Sequence, residues 1–165
     1  MTSSHDMPPP PVPSRADEDF GLVDALAQLS FLVQSALAEI AGQYDLSVVQ
    51  TRMLGILRDR EPTMNQLGRH LGLDKSSITG LVDRAQRRGL VTRTASAVDR
   101  RSFQVSITDA GRQLVEQVAA QFAEQIERCV EPLPETDRKR LSRMATRIVT
   151  ADAQVRGIDL RTAPH

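Results

Sequence analysis

The sequence predicts a mainly α-helical α+β fold in which a run of helices is interrupted once by a short β-hairpin. From Phe20 onward, apolar residues recur at steps of three and four, the period of one helix face. Ser47 and Thr63 each begin a Ser/Thr-x-x-Gln capping box, a signature of helix N-termini. Between Leu90 and Ile107 the apolar period becomes two, as in half-buried strands. We therefore expect about six helices and two or three strands.

The N-terminal part is expected to be a tail followed by one long helix. Five of the nine prolines lie between Pro8 and Pro13 among polar residues, so residues 1–19 are predicted to be a disordered arm. A proline-rich ligand segment for another domain is the alternative. The helix and its closing turn at Gly42 occupy residues 20–46. Its apolar stripe consists of Leu22, Leu26, Leu29, Val33, Leu37 and Ile40.

Three shorter helices are expected next. The first begins at Ser47 and the second at Thr63, and Gly72 ends the second in the left-handed conformation that glycine favours. Asp74 is the N-cap of the third, which ends at Gly89 for the same reason. Their apolar positions are Val49, Met53, Ile56, Leu57, Leu67, Leu71, Ile78, Leu81, Val82 and Ala85.

A hairpin and two long helices complete the chain. Residues 90–95 and 102–107 are the predicted strands. Thr108 caps a long helix, and Pro132 and Pro134 separate that helix from the last one. The two apolar stripes consist of Leu114, Val118, Phe122, Ile126 and Cys129, and of Leu141, Met144, Ile148 and Val155. This order predicts a helix-turn-helix followed by a β-wing.

Composition excludes several classes of function. The 21 basic and 21 acidic residues cancel, which excludes a histone-like tail or a wholly basic RNA coat protein. Aromatic residues make up only 3% of the chain, too few for a base-stacking surface. The single cysteine excludes an intrachain disulfide and an all-cysteine zinc site. The three histidines are scattered, and the sequence has no nucleophile elbow or phosphate loop, so we expect no enzyme activity, no cofactor and no metal.

The balanced total hides an uneven distribution of charge. Residues 1–64 carry four basic and nine acidic side chains, whereas residues 65–115 carry nine basic and four acidic ones. Residues 116–165 carry eight of each. The helix-turn-helix and its wing therefore form a local cationic module, which indicates double-stranded DNA as a partner.

The helix after Asp74 is the predicted recognition helix. At 100° per residue its apolar residues share one arc, and the opposite face of its N-terminal half carries small polar residues. Such a slim face can enter the major groove and offer hydroxyls to base edges, while the arginines further along suit phosphates. A solvated polar face without a ligand is the alternative. The candidate DNA-binding residues are Lys75, Ser76, Ser77, Thr79, Gly80, Arg84, Arg87 and Arg88.

Residues 63–112 closely resemble the winged-helix signature of the MarR family of transcriptional regulators. Residues 89–93 read Gly-Leu-Val-Thr-Arg, residues 99–101 read Asp-Arg-Arg, and residues 105–111 read Val-Ser-Ile-Thr-Asp-Ala-Gly, with the family's spacing. Residues 74–79 and 81–84 extend the match. The sequence departs from the family pattern at residues 95–97, where Ala-Ser-Ala replaces Pro-Asp-Pro, at Gly80, where a basic residue is common, and at Ala85, where a leucine is common.

The resemblance makes the hairpin tip a second DNA contact. An arginine at the tip can enter the minor groove, whose negative potential attracts it. We favour Arg100 as the inserted residue and Arg101 as the one that Asp99 holds by a bidentate pair, although the two arginines could exchange roles. A surface ion pair of negligible energetic worth is the alternative.

The resemblance also implies a homodimer. Residues 20–46 and 109–157 are the expected dimerisation helices, residues 47–108 the DNA-binding module and residues 158–165 a tail. A two-fold dimer implies a palindromic operator. Family members usually bind small aromatic or phenolic anions, so a repressor released by such an effector is expected. Tyr44 and Arg52 are weak candidates for the pocket wall, and a structural role is the alternative for each.

Two other functions stay open. The first is an oxidant-sensing regulator that uses Cys129, although the position of this residue on an apolar stripe favours packing and an inert thiol. The second is a winged helix that contacts only proteins. No apolar run approaches the roughly 20 residues that span a bilayer, and no signal peptide is evident, so we expect a cytoplasmic protein without membrane contact.

Overall fold

The computed structural model describes residues 19–95 and 103–158. These residues fall into two compact units, of which one ends at Leu32 and the other begins at Val33. The predictions for the proline-rich tail before residue 19, for the wing tip at residues 96–102 and for the end of the chain after residue 158 lie outside the described residues.

The described residues form six helices and two strands, which confirms the predicted mainly α-helical α+β class. In chain order the elements are α1 (Gly21–Gly42), α2 (Val48–Asp59), α3 (Met64–Leu71), α4 (Lys75–Arg87), β1 (Val91–Ala95), β2 (Phe103–Ile107), α5 (Asp109–Val130) and α6 (Glu135–Arg156). The helix-turn-helix is α3 and α4, and the hairpin of β1 and β2 is the wing.

Side-chain caps begin four of the helices at the predicted residues. Ser47 and Thr63 each complete a capping box, with Gln50 and Gln66 as the respective partners. The Asp74 carboxylate accepts a hydrogen bond from the amide of Ser77 at 2.8 Å and so caps α4. Thr108 caps α5 in the same way, because its hydroxyl accepts from the third amide of that helix at 3.0 Å.

Glycines in the left-handed region end α3 and α4 and so set the helix-turn-helix and wing angles. Gly72 has φ +67° after α3, and Gly89 has φ +69° after α4. Beyond Gly89 the amide of Leu90 donates to the carbonyl of Ala85 at 3.0 Å. This bond spans five positions of sequence and is typical of a Schellman motif at a helix C-terminus. The chain therefore leaves α4 directly into β1.

The wing is an antiparallel pair in which Val91 lies opposite Ile107 and Ala95 lies opposite Phe103. A bridge between Thr63 and Gln104 adds a third, single-residue segment to this pair. This agrees with the expected two or three strands. The bridge ties the start of α3 to β2, so the wing and the helix-turn-helix share one framework.

One hydrophobic core joins α2, α3, α4, the wing and the first half of α5. Its largest fully buried side chains are Met53, Leu54, Leu57, Leu67, Val82, Val91, Val105 and Val118. Ile40 and Ala41, at the end of α1, pack into the same core. The buried face of α4 is part of this core.

Several predicted apolar stripe positions are exposed in the single chain. In α1 these are Leu22, Leu26 and Leu29, and in α6 they are Leu141, Met144, Ile148 and Val155. Cys129 is also exposed, which corrects the expectation that it packs on the apolar stripe of α5. Earlier on the same stripe, Val118 is buried in the core and Phe122 packs against it half-buried.

Helix α1 corrects the expectation that no segment is long and apolar enough to cross a membrane. It has 22 residues and a mean hydropathy of 1.4 over its most apolar window. One such helix near an N-terminus is weak support for a span, since the core helix of a soluble protein and a signal sequence pass the same test.

Candidate nucleic-acid interface

Helix α4 presents the two faces that its sequence predicts. Ile78, Leu81, Val82 and Ala85 are buried against the core. The candidate residues on the other faces are exposed or half-buried, and they are Lys75, Ser76, Ser77, Thr79, Gly80, Arg84, Arg87 and Arg88. Seven of these eight lie within α4, and Arg88 is its C-cap. Ala85, at a position where a leucine is common in the family, is buried and only 1% exposed.

The N-terminus of α4 is organised by Asp74. Its carboxylate accepts hydrogen bonds from the hydroxyl of Ser76 at 2.7 Å and from the amide and hydroxyl of Ser77. The bond from the Ser77 amide, followed by those from the two serine hydroxyls, lowers the pKa of Asp74 below its ordinary value. The hydroxyl of Thr79 donates to the carbonyl of Lys75 at 2.7 Å. All three hydroxyls therefore lie on the rim of the helix N-terminus and keep acceptor lone pairs for an outside donor.

A shallow groove of about 450 Å³ lies between this end of α4 and the N-terminus of α2. Ser47, the N-cap of α2, shares this groove with Ser76, Gly80 and Arg84. A Cβ atom added at Gly80 would meet only the guanidinium of Arg84, at 3.4 Å, so the groove is open at that position. The sequence predicts Ser47 as a cap but does not place it beside the recognition helix, because the two N-termini are brought together only by the core.

The three arginines near the end of α4 have different surroundings. Arg84 and Arg87 are exposed on the outer face. Arg88 turns back and donates to two main-chain carbonyls of the turn after α1, from Nη1 to Asp45 at 2.6 Å and from Nη2 to Tyr44 at 3.0 Å. The structure therefore groups Arg84 and Arg87 with the candidate interface and separates Arg88 from them.

Arg93 of β1 links the wing to α4. Its guanidinium forms an ion pair with Asp83, and Nη2 also lies 3.4 Å from the carbonyl oxygen of Thr79. The carboxylate of Asp83 thus turns toward the wing. Arg93 belongs to the Gly-Leu-Val-Thr-Arg segment, but only the folded chain shows its partner.

The candidate residues of the wing tip, Asp99, Arg100 and Arg101, lie outside the described residues. The last described pair of the hairpin is Ala95 and Phe103.

Tyr44 and Arg52, the weak candidates for a ligand pocket, have different environments. Tyr44 packs against the core, and its hydroxyl accepts a hydrogen bond from Nε2 of Gln121 in α5 at 2.7 Å. Arg52 is exposed on α2 and lines a cavity of about 540 Å³. The surroundings of Tyr44 favour a structural role, and those of Arg52 fit a pocket wall.

The cavity beside Arg52 lies between α2, the end of α3 and the last turns of α6. Its apolar floor consists of Ile56, Val149, Ala153 and Ile158. The five basic side chains of the lining are Arg52, Arg58, Arg60, His70 and Arg156, and the two acidic ones are Asp59 and Asp152. Each acid is paired with an arginine of the lining, at 3.0 Å for Asp59 and 2.9 Å for Asp152. The side-chain hydrogen bond from Arg58 to Asp59 raises the pKa of Arg58 further above its already basic ordinary value. The cavity is therefore cationic with an apolar floor.

Among the residues that the structure describes, no cluster of three or more histidine, cysteine or acidic side chains is arranged to hold a metal ion.

Comparisons with known proteins agree with this geometry. The MarR family model matches residues 44–102, from the turn after α1 to the wing. The chain is 26% identical over 131 residues to the HTH-type transcriptional regulator PecS of Dickeya dadantii, a match that covers 77% of this chain and 79% of PecS. It is 32% identical over 120 residues to the HTH-type transcriptional repressor IacR of Pseudomonas putida, covering 66% of this chain and 72% of IacR.

A solved structure of the Staphylococcus aureus MepR–DNA complex has the same fold. The TM-score is 0.66 at 21% sequence identity, and the match covers 81% of this chain and 99% of MepR. The helix-turn-helix, the wing and the flanking long helices thus share the fold of MepR. The chain belongs to the MarR family and is a DNA-binding transcriptional regulator with a winged helix-turn-helix.

Proposed function

We propose that the chain acts as a homodimer that binds a palindromic operator and represses transcription until a small aromatic or phenolic anion releases it. The observation that carries the proposal is the construction of α4. Its outer face is small and polar at the N-terminal end and carries exposed Arg84 and Arg87 further along, while the ion pair of Asp83 with Arg93 holds the wing beside it. We place this regulator in the cytoplasm, where chromosomal DNA is accessible.

In this proposal α4 lies in the major groove. Ser76, Ser77, Thr79 and Gly80 form the face that approaches base edges, since only small side chains let the helix enter deeply. Lys75, at the N-terminus, contacts the sugar-phosphate backbone, as do the two arginines further along the helix.

The wing provides the second contact. Arg100 enters the minor groove beside the major-groove site, and Asp99 orients Arg101. Arg100→Ala is then expected to weaken operator binding markedly, whereas Arg161→Ala, outside the module, is not. Equal effects of the two substitutions on the dissociation constant would contradict this assignment.

The exposed apolar residues of α1 and α6 support the homodimer. Leu26 is 46% exposed and Ile148 is 57% exposed in the single chain, and burying such side chains contributes about 1.5–3 kcal/mol each. We expect sedimentation velocity to show a dimer, and Ile148→Glu to shift it toward monomer. The matched variant Lys139→Glu, on the same helix, should stay dimeric. A monomeric wild-type protein that binds its operator would contradict the proposal.

The cavity beside Arg52 supports an anionic effector. A flat apolar ring could lie against Ile56 and Val149, with its carboxylate or phenolate directed at the basic lining. Because the cavity joins α6 to the last turn of α3, an occupant would alter the spacing between the dimerisation helices and the helix-turn-helix, which is the change that releases DNA in this proposal.

The oxidant-sensing alternative depends on Cys129. The thiol is exposed in the single chain, so an oxidant could reach it, and any disulfide would join two chains because the sequence has one cysteine. If Cys129→Ser keeps the peroxide response of the wild-type protein, or if neither protein responds, this alternative is excluded.

Selection of genomic fragments by the purified protein tests the central proposal. We expect recovery of palindromic sites whose half-sites lie about 34–36 Å apart. If each subunit places about four cations on phosphates, the dimer neutralises about eight phosphates. A plot of the logarithm of the association constant against the logarithm of the salt concentration should then have a slope near −7. A slope near zero, or no preference for genomic over random DNA, would instead support a winged helix that contacts proteins.

A further inference from the structure

We propose that Arg88 is a positioning residue that clamps the recognition helix to the rest of the chain and does not contact phosphate. The proposal rests on the DNA-binding role proposed above for α4. Arg88 is the C-cap of α4 and directly precedes Gly89, at which the chain turns into the wing. A restraint at this position therefore acts on the recognition helix and on the base of the wing together.

Two nitrogens of the guanidinium converge on two successive carbonyls. Nη1 lies 2.6 Å from the carbonyl oxygen of Asp45, and Nη2 lies 3.0 Å from that of Tyr44. This bidentate contact, which we call the Arg88 clamp, joins positions 43 and 44 residues apart in the sequence. The planar fork of arginine fits two neighbouring acceptors at once, whereas a lysine ammonium is a compact point charge.

The turn after α1 is shaped to present these carbonyls. Asp45 adopts φ +54°, in the left-handed region, and the amide of Leu46 donates back to Ala41 at 2.9 Å. The carbonyls of Tyr44 and Asp45 thus lie beyond the last helical bonds of α1. Without a donor from elsewhere in the chain they depend on water, so the clamp supplies partners that the helix end lacks.

The same turn is held on its other side by α5. The hydroxyl of Tyr44 accepts a hydrogen bond from Gln121 at 2.7 Å, while the ring packs against the core. One residue therefore contacts α5 through its side chain and α4 through its carbonyl. In this proposal a movement of α5 would displace the turn at Tyr44, which would in turn displace Arg88 at the end of the recognition helix.

Arg88 differs from Arg87 because two of its guanidinium nitrogens already donate hydrogen bonds to main-chain carbonyls. Arg87 is exposed on the outer face of α4 in a position to meet a phosphate, whereas Arg88 must break both clamp bonds to do so. Arg87 is accordingly the matched control for Arg88: the same residue type, one position away and at the same helix end.

The test compares Arg88→Ala, Arg88→Lys and Arg87→Ala in binding to a duplex recovered with the wild-type protein, over a range of salt concentrations. Loss of one phosphate contact per subunit in Arg87→Ala should make the slope shallower by about 1.8 for the dimer. Arg88→Ala should keep the wild-type slope and weaken binding about tenfold at every salt concentration, because helix orientation and not charge is lost. Arg88→Lys should behave like Arg88→Ala, since it cannot bridge both carbonyls.

A shallower slope in Arg88→Ala, restored by Arg88→Lys, would overturn the proposal in favour of a phosphate contact. Wild-type affinity and slope in Arg88→Ala would overturn it as well. Circular dichroism and sedimentation at the assay temperature check that each variant is folded and assembled, and an affinity loss explained by unfolded protein would reassign Arg88 to folding alone.

A second measurement needs no DNA and separates the clamp from the proposed function. Amide hydrogen exchange at the end of α4, at residues 88–90, should be faster in Arg88→Lys and in Tyr44→Phe than in the wild-type protein. Exchange in the buried middle of the helix, at Val82, should stay the same. Unchanged exchange at residues 88–90 would overturn the clamp, whereas failure of the wild-type protein to bind any duplex would overturn only the proposed function.

Discussion

Arg93 of β1 and Asp83 of α4 form an ion pair between the wing and the recognition helix, across ten positions of sequence. The side chain of Arg93 is 22% exposed and that of Asp83 is 45% exposed, so water screens the pair only in part. Nε of Arg93 is buried, and it has no hydrogen-bond partner among the residues that the structure describes. Within the described residues, the guanidinium contacts α4 through Nη2, which meets the Asp83 carboxylate and the Thr79 carbonyl.

The first prediction concerns this ion pair. Asp83→Asn should lower the free energy of unfolding by about 1 kcal/mol, a value that allows for the exposure of Asp83. It should also weaken operator binding, because the wing loses its restraint. Urea unfolding and DNA titration measure the two effects.

An exposed ion pair provides the control for this substitution. Arg128 and Glu124 are paired at 3.1 Å on α5 with side chains that are 60% and 69% exposed. Glu124→Gln should change stability by less than about 0.5 kcal/mol. If both substitutions leave stability and DNA affinity unchanged, the pair of Asp83 with Arg93 does not orient the wing.

The second prediction concerns Gly111, in the first turn of α5. A Cβ atom there would lie 2.1 Å from the carbonyl oxygen of Leu90 and 2.9 Å from the side chain of Ile107. Gly111→Ala should therefore force the backbone at the base of the wing apart and destabilise the fold by about 2–3 kcal/mol. Gly55→Ala is the control, because a Cβ at Gly55 meets nothing within 4 Å. It should stabilise α2 by about 0.5–1 kcal/mol, and equal melting temperatures for the two variants would refute the close approach.

The third prediction uses the lowered pKa of Asp74. A carboxyl whose pKa is lower in the folded than in the unfolded state stabilises the fold above the unfolded pKa, and this contribution is lost as the pH falls through the folded pKa. Asp74→Ser keeps a capping oxygen without a charge. The stability advantage of the wild-type protein over this variant should be full at pH 7 and shrink below about pH 4.

Urea unfolding between pH 7 and pH 2.5 measures this difference. Thr108→Ser is the control, because it replaces one uncharged cap by another, and its difference from the wild-type protein should not vary with pH. A wild-type advantage over Asp74→Ser that persists unchanged at the acid end would show that the carboxylate charge does not stabilise the cap.

The fourth prediction concerns the cavity beside Arg52. Titration calorimetry with salicylate as the probe should show binding that Arg52→Ala weakens at least about tenfold, since a charge-assisted hydrogen bond is lost. Arg143→Ala, on the exposed surface of α6 and away from the cavity lining, should bind as the wild-type protein does. Salicylamide, which lacks the carboxylate, should bind more weakly. Equal affinity of both variants for salicylate would remove Arg52 from the proposed effector site.

Features that depend on residues close together in the chain were predictable from the sequence. The caps at Ser47, Thr63, Asp74 and Thr108 each involve a partner three positions away, and the structure contains all four. The buried face of α4 follows from a period of 3.6 residues and was predicted residue by residue. The turn at Gly89 follows from the low cost of positive φ in glycine.

The tertiary structure decided which polar groups meet. Arg88 and Arg87 are equivalent in composition and charge pattern, yet only Arg88 reaches the turn after α1, because the core sets the distance between elements that are 43 residues apart. The turn of Asp83 toward Arg93, and the cavity that α6 forms over Arg52, likewise depend on the packing of separate elements. The sequence by itself determined the helices, the wing and the family, since these signals are local or are carried by a contiguous motif. The division of the arginines between interface, clamp and cavity was decided only by the fold, because each partner lies on a different element and side-chain identity does not specify long-range contacts.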